Sequence, residues 1–164
     1  MATKADFTND EWRMLLASPM IAGMAVTIAD PSGIIGMLQE GWAGARSMLE
    51  PKSDAGASDL AKAIADDVTT SEGRSQAQDF VKSRITGKSA AELKPQIMSV
   101  LEDVGSLLDR KAPADAASFK AWLKHTAEKV AEASTEGGFM GFGGVAVSDA
   151  EKATIADVAR ALRA

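Results

Sequence analysis

EGGFMGFGGVAVSDAE, residues 136–151, is the stretch around which the helical patterns of this chain are arranged. Gly137, Gly138, Gly141, Gly143 and Gly144 are interleaved there with Phe139, Met140 and Phe142. So many glycines mark a backbone led through turns that residues with a Cβ resist. Residues 141–146, GFGGVA, formally match G-x-G-x-x-A. That spacing cradles a dinucleotide pyrophosphate only where a strand runs in, a helix runs out and a βαβ unit surrounds it. Here a helical pattern runs in, and the chain ends before such a unit could close. No GK[ST] follows, so it is not a phosphate loop of the Walker kind either. The match is rejected.

Outward from this stretch the periodicity is helical. Ser148-x-x-Glu151 is a capping box, in which each residue's side chain accepts from the other's backbone N–H. Ile155, Val158, Ala159 and Leu162 give the last helix, 149 to about 162, its apolar face. Upstream, Phe119, Trp122, Leu123, Thr126 and Val130 mark a helix ending near Ser134. A short loop at 110–114 joins it to a helix carrying Ile97, Val100, Leu101, Val104 and Leu108. That helix opens with Ser89-x-x-Glu92, read as another capping box, and Pro95 is expected to bend or restart it. Two amphipathic helices come earlier. One holds Leu60, Ile64 and Val68; the other runs from a Ser71 cap through Ala77, Phe80, Val81 and Ile85 to Gly87. Residues 51–58, PKSDAGAS, read as a solvated loop.

At the N-terminal side Thr8-x-x-Glu11 is a capping box, and Trp12, Leu15 and Leu16 begin an apolar face. Ser18-Pro19 marks a kink or a new start, followed by Met20, Ile21, Met24, Ala25 and Ile28 at helical spacing. Asp30-Pro31 starts a helix to about Glu50, stopped by Pro51. Gly33, Gly36, Gly41 and Gly44 share one side of it, opposite Ile34, Ile35, Leu38, Trp42, Ala45 and Leu49. Interior glycine costs about 1 kcal/mol against alanine, so their grouping predicts a closely approaching neighbour. This is the expected central helix. The fold class is all-α: one bundle-like domain over 1–164, with seven or eight helices and one glycine-rich loop before the last.

The composition narrows function. With 18 basic and 23 acidic residues the net charge is -5, and no Lys/Arg cluster offers a footprint for nucleic acid. Cysteine is absent, which removes disulfides, thiolate metal sites and thiol nucleophiles. The charged N-terminal residues do not form a signal peptide, and the longest apolar run, 14–29, is too short to span a bilayer. A cytoplasmic protein without an integral membrane segment is expected. His125 is the only histidine and lies on a charged face with Lys124, Glu128, Lys129 and Glu132, as a solvated residue would. Met14, Met20, Met24, Met37 and Met48 face apolar neighbours and are read as core filling.

Two features carry candidate sites. The first is the glycine-rich loop, with Phe139, Met140 and Phe142 as an apolar tip and Gly141 and Gly143 as a backbone nest for an anion. The same residues would otherwise pack back onto the bundle. The second is a set of carboxylates at helix–turn–helix corners: Asp30 and Glu40, then Glu136, Asp149 and Glu151. Hard cations take several oxygens from such corners, although helix N-termini favour acids without any cation.

VAEASTEGGF followed by SDAEKATIADVARAL resembles the end of the tellurite-resistance TerB-like family, and AGMAVTIADPSGIIGMLQE is similar to its first helix–acidic turn–helix. The EGGF-x-GFGG-V-x-VS-x-x-E tail is also similar to that of bacterial proteins with no assigned function. The TerB-like resemblance implies a small all-helical domain of a bacterial stress response, with a divalent cation such as calcium at its acidic turns. Asp30-Pro31-Ser32-Gly33 replaces the family's Asp-Gly turn, and Glu136 stands where the family has Asp. Function is therefore expected to be non-enzymatic binding of a protein partner, cation-assisted and stress-related, or else with no cofactor. The alternative is a small-molecule or anion binder, enzymatic or not, that uses residues 137–144 as lid or nest.

Overall fold

The computed structural model describes residues 2–29, 45–136 and 147–164. Among these residues every α or 3-10 element is a helix and no strand occurs, as an all-α reading requires. The α-helices are α1 (Asn9–Thr27), α2 (Ala45–Leu49), α3 (Asp59–Asp67), α4 (Ser71–Arg84), α5 (Ala90–Lys111), α6 (Pro113–Glu136) and α7 (Asp149–Leu162). One 3-10 turn, Lys4–Asp6, precedes α1, and another, Glu50–Lys52, follows α2.

Among the described residues α1 holds the centre. It packs against α3, α4, α5, α6 and α7. Leu15, Leu16, Ala17, Ser18, Ile21 and Ala22 are consecutive or nearly so, and all are buried. A helix apolar on every side has to be surrounded. The helix expected between residues 30 and 50, with its glycine face, lies mostly outside the described residues. Its described end, α2, touches α3 and α6. There Met48 is buried, and the indole Nε1 of Trp122 donates to the Ser47 carbonyl at 3.0 Å.

At neither of two prolines does a helix restart. α1 runs through Pro19 and α5 through Pro95. At Pro19 the missing N–H would leave the Leu15 carbonyl without its partner four residues on. The Ser18 hydroxyl donates to that carbonyl at 2.7 Å, so the helix continues instead of restarting.

The boundaries follow local chemistry. Thr8/Glu11 and Ser148/Glu151 form complete capping boxes. Ser89 accepts from the Glu92 N–H, but the Glu92 carboxylate takes the Lys88 N–H at 2.8 Å, so that box is only half built. The cap of α4 is Thr70 and not Ser71: its hydroxyl accepts from the Gly73 N–H at 2.9 Å. The loop expected at 110–114 shrinks to Ala112, because Pro113 is a good first residue for α6. Pro51 in the expected solvated loop is buried, while residues 52–56 are exposed.

α7 closes the bundle against α5 and α6. Its apolar face is Thr154, Val158, Ala161 and Leu162, with Ile155 and Ala159 half-buried. The crossing is tight: a Cβ on Gly105 would stand 2.6 Å from the Leu162 carbonyl oxygen. Nearby, the buried Lys120 ammonium pairs with Asp109 at 2.7 Å and donates to the Arg163 carbonyl at 3.4 Å. A cation there also suits the negative end of α7.

Candidate functional site

The sequence-expected residues divide sharply. Asp30, Glu40, Phe139, Met140, Gly141, Phe142 and Gly143 lie outside the described residues, as does the Glu136 side chain. Glu136 is the last residue of α6, and Val147, which resumes the described chain, packs against the core. Asp149 and Glu151 are the first and third residues of α7. Residues two apart on a helix do not face each other. Asp149 is fully exposed, with the Lys152 ammonium 3.9 Å away. Glu151 is buried, and its Oε2 accepts from the Ser148 N–H at 2.8 Å and the Ser148 hydroxyl at 2.9 Å. These two carboxylates are not brought together. Among the described residues no group of three or more His, Cys, Asp or Glu is placed to hold a metal ion.

His125 is on the surface, as its charged face predicts, but it is not merely solvated. Its Nε2 lies 3.0 Å from the Glu50 carboxylate and its Nδ1 3.8 Å from Glu128. Sequence spacing gives Glu128, one turn along the same helix. Glu50 arrives from the far side of the fold's connectivity, and no local signal marks it. Met14, Met20 and Met24 pack against the core and Met48 is within it, as gap-filling residues do.

Chemistry that sequence reading missed gathers in a cleft of about 220 Å³ where α1, α4 and α5 meet. Its apolar lining is Met14 from α1, Phe80 from α4 and Leu107 from α5. Phe80 and Leu107 are buried side chains with one surface on the cleft. Around them stand Asp10 and Glu11 from α1, Arg84 from α4, and Asp103, Ser106 and Arg110 from α5. The Arg84 guanidinium lies 5.6 Å from the centre of the Phe80 ring, a cation–π arrangement. Glu11 is committed elsewhere: it takes the Thr8 N–H and the Lys111 ammonium, each at 2.7 Å. Those contacts, the Lys111 hydrogen bond foremost, hold its pKa below the ordinary glutamate range. Among the described residues Asp10 pairs only with Arg13, at 3.8 Å. On α5 the signal was present but bland. Asp103, Ser106, Leu107 and Arg110 share the i, i+3, i+4, i+7 face, which from sequence reads as the edge of a core stripe.

No protein-family model, curated protein or solved structure matches the chain. Among the described residues no helix is long and apolar enough to cross a membrane.

Proposed function

We propose that this chain is a non-enzymatic, cytoplasmic binding domain that recognises a protein partner through Phe139, Met140 and Phe142. The supporting observation is how firmly both flanks of that segment are held. Ala127 and Ala131 of α6 are buried, Val147 packs on the core, and Glu151 is buried in the cap that starts α7. Aromatic and methionine side chains among glycines, carried between two core helices, suit recognition at an apolar groove. The TerB-like resemblance adds a stress-response setting and a divalent cation near Asp149. An exposed carboxylate there is free to take part, whereas Glu151 would have to leave its cap.

The test is photo-crosslinking in cells, with a benzophenone amino acid replacing Phe142 and, as control, the exposed Ala153 of α7. A discrete protein adduct is expected from position 142 and not from 153. In a lysate given a chelator before irradiation, the yield of that adduct should fall where the cation takes part. Absence of an adduct at 142, or the same adducts from both positions, would overturn the partner reading.

A further inference from the structure

The cleft between α1, α4 and α5 has no role in that reading. Arg110, in its lining, stands just before the start of α6, whose 24 residues lead to Glu136 roughly 35 Å away at about 1.5 Å per residue.

Three helices bring acids and bases to this one concavity, yet among the described residues no ion pair closes across it. Asp10 and Glu11 pair outside it, with Arg13 and Lys111. Asp103, Arg84 and Arg110 make no ion pair or side-chain hydrogen bond among the described residues. Asp103 and Arg110 are two turns apart on α5, about 10 Å along its axis, with the Ser106 hydroxyl between them. The buried faces of Phe80 and Leu107 lie beside that row. Lone surface charges need no ligand. Opposite charges held apart across an apolar floor form a bipolar pattern that one small molecule can complete.

We propose that the cleft binds a small zwitterion bearing an apolar side group, in its simplest form a free α-amino acid with an aromatic or branched aliphatic side chain. The carboxylate meets Arg110, helped by the Ser106 hydroxyl, because guanidinium is the best-matched donor for a carboxylate. The ammonium faces Asp103. The side group lies on Phe80, Leu107 and Met14, and Arg84, stacked on Phe80, closes the rim. A ligand of about a dozen heavy atoms in an open cleft should bind with millimolar affinity.

The experiment is a two-dimensional 15N NMR titration of the full chain with L-phenylalanine, 3-phenylpropionate, 2-phenylethylamine and glycine, each carried to tens of millimolar. Phenylalanine is expected to give saturable shifts at the amides of Phe80, Ser106 and Leu107. The two single-charge analogues should bind about fivefold more weakly or worse, and glycine should leave these amides unmoved. Arg110→Gln and Asp103→Asn, at exposed positions that leave the core intact, should each weaken phenylalanine binding by a similar factor. No saturable shift with phenylalanine overturns the proposal. So does equal binding of phenylpropionate together with an unaffected Asp103→Asn, which would make the cleft a carboxylate site. Neither result bears on crosslinking at Phe142, so the two readings fail separately.

Discussion

Ser18 is a single hydroxyl on which the continuity of α1 depends. The residue is buried, and its donation to the Leu15 carbonyl replaces the bond that Pro19 cannot make. Removing it leaves a buried carbonyl unpaired, which costs about 1–3 kcal/mol. Ser18→Ala should therefore lower stability in a urea melt by that amount. The sharper test is the double variant. With Pro19→Ala present, the new N–H at position 19 reaches the Leu15 carbonyl, and Ser18→Ala should then cost only a few tenths of a kcal/mol. Additive costs would show that the hydroxyl matters for packing and not for the orphaned carbonyl. Ser-Pro is a sound sequence signal for a helix start, since proline loses nothing in a first turn. It misleads here because a side chain supplies the acceptor's partner, and nothing in the dipeptide announces that.

At the scale of elements, caps and buried faces were largely readable from sequence, because both depend on residues three or four apart. Ser148/Glu151 and Thr8/Glu11 close as written, and Leu60, Ile64, Ile97, Leu101, Val104 and Leu108 are all buried. What sequence could not give is which helix meets which. Close approach was expected at the glycines between 33 and 44, outside the described residues. Among those described, such approaches occur at Gly73, against the Asp67 backbone, and at Gly105, where α5 lies against the last turn of α7. A Cβ there would strike the Leu162 backbone, which cannot swing aside as the end of a side chain can. Helix propensity alone would make Gly105→Ala stabilising by about 1 kcal/mol. Overpacking should win, giving a net loss of about 1–3 kcal/mol. The sign of the shift in a denaturant melt decides between the two. The cleft stayed hidden for the same reason. Its residues come from three helices, and each alone reads as a solvated charge or a core position.

Across the whole molecule, long-range polar contacts fasten the N-terminal segment to the bundle, and they set its response to acid. Asp67 ends α3, and its Oδ2 accepts from the Trp12 indole at 2.7 Å and the Lys4 ammonium at 2.9 Å. Trp12 is buried against Phe7, their ring centres 5.9 Å apart. Burial pushes the Asp67 pKa up, but the hydrogen bonds from Lys4 and Trp12 together outweigh it and hold the carboxyl below its ordinary value. Glu11 is lowered as well, chiefly by Lys111, and Asp157 chiefly by Lys94. A carboxyl whose pKa is depressed by folding adds stability above its unfolded value, and that stability is lost as pH falls through the folded value. All three groups therefore act in the same direction, and stability should climb from strongly acidic pH to a plateau above about pH 5. Asp67→Asn keeps an acceptor for the indole but removes the charge. Lys4 is largely exposed, so most of the loss comes from the Trp12 bond, about 1–2 kcal/mol at neutral pH. Below the folded pKa the wild-type carboxyl is also neutral, and the two proteins should converge. Urea melts followed by tryptophan fluorescence at several pH values measure that gap. A gap that stays constant down to the acid limit would mean that shape, and not the charge on Asp67, holds the N-terminal segment in place.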